Sequence, residues 1–452
     1  MKSVSARQTC PAILIAAPAS GQGKTTVTAA LARLHARQGR KVRGFKCGPD
    51  FLDPYWHALA SGAPVYQLDL WMTGEADCCA RLMDAARDAD LILVEGVMGL
   101  FDGTPSATDL ARRFALHVLA VVDASAMAGT FGALAFGLQH YQGDLPWGGV
   151  LANRVASVGH AGMLQHSLNK PQDWLGALMH NPALVLPERH LGLTVASEVP
   201  DALARLDAAA DALADTPLGR MSLEDLQRWN TGFLPAEECA VQPTPALLQG
   251  KVIAVARDAA FCFTYDANLD CLRALGAGLR FFSPLANEAL PACDAVWLPG
   301  GYPELHADRI AASTRTREGL AQHIAAGLPL WAECGGMMAL MDSMVTVDGQ
   351  KHAQWGLLPG VVRMHERLAA LGPQQLTLKS GTLRGHTFHF STTDTTMPAA
   401  TRTARPDSAV SADAGEALWQ QGSLRASYFH AWFPSAPAAA AELFGAPPQE
   451  FA

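Results

Sequence analysis

Residues 14–26 read LIAAPASGQGKTT, and this stretch decides the fold of the first half of the chain. An aliphatic run ends in a glycine-rich turn, and the turn leads into a helical pattern opened by Lys24, Thr25 and Thr26. Backbone N–H groups of Ser20, Gly21, Gln22 and Gly23 can close around phosphates, and the helix start behind them adds partial positive charge. Lys24 is placed to reach the terminal phosphates, and the Thr25 hydroxyl to ligate Mg²⁺. The pattern G-x-x-x-x-G-K-[ST] is broken at one point, because Pro18 stands where the first glycine belongs. A plain strand-to-helix turn is the alternative; the strand–loop–helix setting favours binding of a nucleotide.

The chain has 452 residues, more than one core accommodates, so two domains are expected. Apolar residues make up 49% and charged residues 17%, the balance of a globular protein with ample core material. The net charge of −8 comes without any block of like charge, which speaks against a nucleic-acid-binding surface. No apolar run approaches the roughly 18 residues of a membrane span. Residues 1–10 are too polar for a signal peptide. The nine cysteines lack C-x-x-C spacing, and reduced, mostly buried thiols in a cytoplasmic protein fit best.

Strand patterns at 13–17, 41–46, 91–95, 118–123 and 148–153 alternate with helical patterns at 25–38, 76–87 and 126–141. Such alternation predicts a parallel sheet covered by helices on both faces. An Ala-rich amphipathic segment at 202–213 closes this domain. Residues 234–249, LPAEECAVQPTPALLQ, contain three prolines and no periodicity. The expected organisation is therefore a first domain over 1–235, a linker over 236–249 and a second domain over 250–452. The second α/β series has strands at 252–256, 278–283, 295–298 and 329–333 and helices at 265–275 and 316–326, followed by hairpin-like strands.

Residues 46–57, KCGPDFLDPYWH, follow the second strand and should lie at the carboxyl edge of the sheet, near the phosphate loop. Asp50 and Asp53 can hold Mg²⁺ or orient an acceptor substrate. The structural alternative is a GPD turn with Asp53 capping a helix ahead of Pro54. In 94–103, VEGVMGLFDG, Glu95 ends an apolar strand, where a carboxylate needs a partner or a cation. It is the natural further Mg²⁺ ligand. Asp123 stands at another strand end, divided evenly between function and capping. Asn153 could meet an adenine edge or satisfy loop backbone.

In 330–340, LWAECGGMMAL, an apolar strand runs into Cys334, two glycines and an apolar helix. A cysteine on such an elbow is held out of the sheet at a helix start, which favours thiolate and nucleophilic attack. Gly335 offers an N–H to an oxyanion. Residues 427–434, SYFHAWFP, supply His430 as a candidate base. Gly300 and Gly301 in 298–304, LPGGYPE, offer another oxyanion donor or merely a tight turn. Residues 384–391, RGHTFHFS, look like a strand with His386 and His389 on one face. A metal site there lacks a third ligand, and a polar strand face beside the active site is the better reading.

Together with LDLWMTG at 68–74, these segments resemble, in order and spacing, the cobyrinate and hydrogenobyrinate a,c-diamide synthases of cobalamin biosynthesis. The resemblance covers almost the whole chain. It implies a phosphate-loop amidoligase domain related to dethiobiotin synthetase, joined to a class I glutamine amidotransferase domain. It implies a glutamine-hydrolysing carbon–nitrogen ligase in which Cys334 attacks the glutamine amide with His430 as base and acid. Gly300, Gly301 and Gly335 would surround the oxyanion. Ammonia would then meet a corrinoid carboxylate activated by ATP as an acyl phosphate. Thr25 and Glu95, helped by Asp50, would hold Mg²⁺, and Asp53 would position the acetate, the c side chain reacting before a.

Two positions depart from the wider pattern. Many class I glutaminases carry glutamate two residues after the catalytic histidine; here Trp432 stands there, as in the corrinoid branch, and the third member of the relay is unassigned. Phe51 replaces the tyrosine that many relatives have after GPD. The competing readings are a Ni-sirohydrochlorin a,c-diamide synthase and, from a different class, a partitioning-type ATPase switch. The residues do not distinguish a cobalt-containing from a metal-free ring, and they leave open whether the chain forms a homodimer.

Overall fold

The computed structural model describes residues 8–189, 192–194, 196–233, 245–406, 408, 411 and 414–449. The chain separates into two compact units, Met1–Val241 and Gln242–Ala452. Positions 234–244, which hold most of the expected linker, lie outside the described residues, as do 1–7 at the polar start.

The first unit is built on an eight-stranded sheet. Its strands are β1 (Gln8–Ala16), β2 (Val42–Cys47), β3 (Tyr66–Leu68), β4 (Leu91–Glu95), β5 (His117–Asp123), β6 (Trp147–Val155) and β7 (Trp174–Met179), in the order 3-2-4-1-5-6-7. These seven are parallel, and Asn230–Phe233 pairs antiparallel with the first residues of β1. Alternate side chains feed two cores, as a doubly covered sheet requires. Ala12, Leu14 and Ala16 pack on one face, and Ile13 and Ile15 on the other. The helix Lys24–Arg37 (α1) leaves the phosphate loop and packs on Ala202–Ala214, with Arg33 and Asp207 paired at 2.7 Å. The strands β3, β7 and Asn230–Phe233 were not expected from the sequence. β3 and Asn230–Phe233 are only three and four residues long and draw their stability from neighbours already in place, whereas β7 is a run of six apolar residues, WLGALM.

The second unit carries a seven-stranded sheet in the order Gly278–Phe282, Val252–Ala256, Ala295–Leu298, Leu330–Glu333, Leu424–Ser427, Ala417–Gln421, Thr401–Arg402. The first five are parallel and the last two antiparallel. A separate three-stranded antiparallel sheet joins Ala370–Leu378, Gly381–His389 and His430–Trp432. His386 and His389 do not share a face, contrary to the expectation: three residues apart on a strand of period two, they point to opposite sides. His386 stacks on His430 at 5.0 Å, whereas His389 stacks on Tyr428 at 3.7 Å and meets Glu416 at 3.1 Å.

Among the described cysteines, Cys10, Cys47, Cys78, Cys262, Cys271, Cys293 and Cys334 are free thiols. The expectation of reduced, mostly buried thiols thus holds for these seven, and Cys79, half-buried beside the buried Cys78, departs from it as disulfide-bonded. No described helix is long and apolar enough to cross a membrane. Leu119, on β5 and fully buried, tests the first core. Leu119→Ala should lower stability by about 2–5 kcal/mol, read from urea titration of tryptophan fluorescence.

Candidate active sites

In the first unit the phosphate loop and the carboxyl ends of β2 and β4 converge. A cavity of about 580 Å³ is lined by Ser20, Gly21, Gly23, Lys24, Thr25 and Thr26 on the loop side. Asn153 also reaches it, and Leu178, Leu184 and Leu186 supply an apolar wall. Gln22 is turned away: its side-chain oxygen accepts the N–H of Asp123 at 2.8 Å. Asn153 donates to the Gln22 carbonyl at 2.9 Å and accepts from the Arg154 N–H at 2.9 Å, so its amide braces the loop. A Cβ at position 23 would lie 2.2 Å from that amide, and Gly23 has φ +94°, so only glycine fits this turn. Asp123 ion-pairs with Arg154 at 2.5 Å and accepts the Ser125 N–H at 3.0 Å in a turn; it does not cap the next helix, Thr130–His140, whose N-cap is Gly129.

Below the loop lies a charged cluster built around Lys46, a residue not singled out in the sequence. Lys46 and Glu95 are cross-strand partners in the β2–β4 register. The Lys46 Nζ is 2.5 Å from Asp53, 3.1 Å from Glu95 and 3.6 Å from Asp50. Thr25 donates to Glu95 at 2.8 Å and lies 3.3 Å from Asp53. His57, the last residue of the 46–57 motif, bonds the other Glu95 oxygen. Asp50 shapes the turn: its Oδ1 accepts the N–H groups of Leu52 at 2.8 Å and Asp53 at 3.1 Å. That leaves Asp53, first residue of the helix Asp53–Ser61 (α2), with its carboxylate facing Lys46 and Thr25.

Burial would lower the Lys46 pKa, but Asp53, Glu95 and Asp50 together hold it well above its ordinary value. Burial would raise Glu95, and Lys46 and His57 keep it below the usual carboxylate range. Asp53 is pushed up by burial and by the neighbouring Asp50. The phosphate-loop Lys24 donates to the carbonyls of Met98 at 2.6 Å and Ala19 at 3.3 Å, and burial lowers its pKa. A lysine at the last buried turn of an apolar strand was the available signal for Lys46, since such a cation must be neutralised by several anions.

In the second unit Cys334 sits at the end of Leu330–Glu333 with φ 41° and ψ −107°, a conformation that side chains rarely adopt. Its N–H donates to the Ser427 carbonyl at 2.8 Å, which ties the elbow to the next strand. A Cβ on Gly336 would lie 2.2 Å from the Leu298 carbonyl, and one on Gly335 would lie 2.9 Å from the Gly301 nitrogen. The two glycine pairs therefore lie against each other. Gly300 packs against His430 so closely that a Cβ would fall 2.4 Å from the imidazole Cε1. His430 is buried, and its Nδ1 lies 3.8 Å from Glu333. The elbow, the paired glycines and His430 thus assemble as one group.

The thiol is not the low-pKa group expected from its place before a helix. Burial pushes Cys334 well up, and the charges of Glu304 and others add to the rise. The following helix, Gly335–Leu340, is too short to offset that desolvation. Glu304 itself is pushed up to about 7 by burial. Burial and the adjacent His430 hold His386 well below its ordinary value, so it is neutral.

Two outcomes test these assignments. Lys46→Met leaves Asp50, Asp53 and Glu95 without their cation; it should abolish ATP-dependent turnover and lower stability by about 3–5 kcal/mol in urea titration. Glu304→Gln removes a negative charge that is present beside the thiol above pH of about 7. The iodoacetamide rate profile of Cys334, followed by mass spectrometry, should move to lower pH, and an unmoved profile would remove Glu304 from the thiol's surroundings.

Comparison with known proteins finds a family for each unit. Residues 13–193 match the CobQ/CobB/MinD/ParA nucleotide binding domain family, and residues 252–438 match the CobB/CobQ-like glutamine amidotransferase domain family. A hydrogenobyrinate a,c-diamide synthase of Pseudomonas aeruginosa is 56% identical over 96% of this chain and 97% of its own. One of Stutzerimonas stutzeri is 55% identical over 96% of this chain and 98% of its own. A cobyrinate a,c-diamide synthase of Herminiimonas arsenicoxydans is 48% identical over 96% of both chains. With a nucleotide-binding unit and a glutaminase unit in one polypeptide, the chain belongs to the a,c-diamide synthase family of glutamine-dependent amidoligases.

Proposed function

We propose that this chain amidates the a and c acetate carboxylates of hydrogenobyrinate or cobyrinate, using ATP and glutamine. The reading is carried by one observation: a carboxylate-rich phosphate-loop site and a strained cysteine elbow occur in the same chain. The relatives that share more than half their residues with it carry the hydrogenobyrinate name, which favours the metal-free ring.

A carboxylate resists attack by ammonia until one oxygen becomes a leaving group. Lys24 leaves its carbonyl partners to meet the terminal phosphates, and the loop amides of Gly21–Thr26 orient them. The oxygens of Thr25, Glu95 and Asp53, with Asp50 beside them, form the hard donor set that Mg²⁺ prefers, and they would hold it. The ion would neutralise charge on the transferring phosphoryl group. Asp53 and Lys46 face the same space and position the acetate for phosphorylation. The acyl phosphate then takes ammonia and releases phosphate, and exclusion of water protects it from hydrolysis.

At the second site Cys334 attacks the glutamine side-chain amide. The thiol proton passes to His430 and on to the departing ammonia, leaving a thioester that water hydrolyses. Gly301 and Gly335 N–H groups stabilise the oxyanion. The thiol is buried, so its proton leaves directly to His430 as the sulfur attacks.

The purified chain should be given hydrogenobyrinate, cobyrinate or Ni-sirohydrochlorin with ATP, Mg²⁺ and glutamine. Mass spectrometry then counts hydroxyl-to-amino exchanges. Conversion of a corrinoid is expected, and conversion of the nickel ring alone would transfer the assignment to it. Cys334→Ser should lose glutamine-dependent synthesis and keep ammonia-dependent synthesis. ATP turnover indifferent to both nitrogen source and tetrapyrrole would point instead to a switch ATPase.

A further inference from the structure

A histidine that takes a thiol proton gains from an anion on its far nitrogen, yet Trp432 occupies the place two residues after His430. We propose that Glu333, the residue immediately before the nucleophile, is the positioning carboxylate of His430. The proposal rests on the glutaminase reading of Cys334 and His430.

Glu333 ends the strand Leu330–Glu333 and is 2% exposed. Its two oxygens are used differently. Oε1 accepts the indole N–H of Trp331 at 2.7 Å and lies 3.3 Å from the backbone nitrogen of Ala431, which donates to it. Oε2 faces His430 Nδ1 at 3.8 Å. Trp331 shares a strand face with Glu333, being two residues away. Ala431 is the residue after His430. One donor on its own strand and one on the histidine's strand therefore hold the carboxylate, so Glu333 and His430 keep their separation unless a hydrogen bond breaks.

The other titratable groups around this pair do not replace Glu333. His386, stacked on His430 at 5.0 Å and 17° between ring planes, is neutral and supplies no anion. Glu416 is engaged by His389 and Thr387. Glu304 acts on the thiol. A buried carboxylate in an apolar strand is costly, and Trp331 and Ala431 offer it only neutral donors. Protonation of His430 gives it a counter-charge.

In the reaction the Cys334 proton moves to Nε2 as sulfur bonds to the amide carbon. The same proton then goes to nitrogen as the carbon–nitrogen bond breaks. Glu333 takes no part in the proton transfer. Its charge, 3.8 Å from Nδ1, favours the tautomer with hydrogen on that nitrogen, so the Nε2 lone pair is offered to the thiol, and it stabilises the imidazolium across that fixed distance by electrostatic attraction.

Glu333→Gln in the full chain keeps an acceptor for Trp331 and Ala431 while removing the charge. It should lower kcat for glutamine hydrolysis by about 10- to 100-fold with KM changed less than about twofold. Ammonia-dependent synthesis should be unchanged. The acid limb of the kcat/KM profile should move to lower pH, because imidazolium loses its anion. A kcat within about twofold of the parent and an unmoved acid limb would overturn the proposal. If ammonia-dependent synthesis also falls, showing a misfolded chain, Glu333→Asp decides. It keeps the charge but retracts it, so a reduced kcat with the acid limb in place supports the proposal, and full kcat overturns it. Glutamine hydrolysis surviving Cys334→Ser would instead sink the glutaminase reading on which this rests.

Discussion

A lysine ammonium withdrawn from water has to be neutralised where it lies, and that constraint organises the active edge of the first unit. Lys46 is 3% exposed, and three carboxylates from two motifs gather on it. Asp50 and Asp53 come from the turn after β2, and Glu95 from the end of β4. Their mutual repulsion would drive them apart without the cation. With it, they stand beside Thr25 at the foot of the phosphate loop.

The second unit solves a different problem by steric means. On the proposed reading, the cysteine must be fixed within a fraction of an ångström of its base and its oxyanion donors. Here backbone strain at Cys334 and close approach of glycines provide that fixity. Gly301 against Gly335, Gly336 against the Leu298 carbonyl and Gly300 against the His430 ring leave no space for a methyl group. The thiol is buried, and that burial pushes its pKa up.

The fold was legible where periodicity was strong. The runs around β1, β4 and β5 are long and apolar, and the helices between them are amphipathic, so a covered parallel sheet followed from pattern alone. Asn230–Phe233 escaped notice because a four-residue edge strand takes its conformation from β1. The expected single face for His386 and His389 failed on simple strand parity. Among site residues, Lys24, Thr25, Glu95, Cys334 and His430 stand in motifs whose local chemistry is readable. Lys46 and His57 lie at the two ends of a recognised motif but show their role only across strands, where Lys46 pairs with Glu95 in register. Asn153 was readable as a site residue, but not as the brace under Gly23.

The sequence by itself determined the chemistry on offer: a phosphate loop, carboxylates at strand ends, a cysteine at an elbow and a histidine downstream. Those follow from short-range geometry, since a strand running into glycines and a helix presents its next side chain in only one way. The tertiary structure decided which groups face one another. That Asp50 shapes a turn while Asp53 meets Thr25, or that Glu333 turns toward His430, depends on strand register and on which of two oxygens a distant donor holds. Contacts of this kind join residues scores of positions apart, and no local pattern of residues encodes their distance.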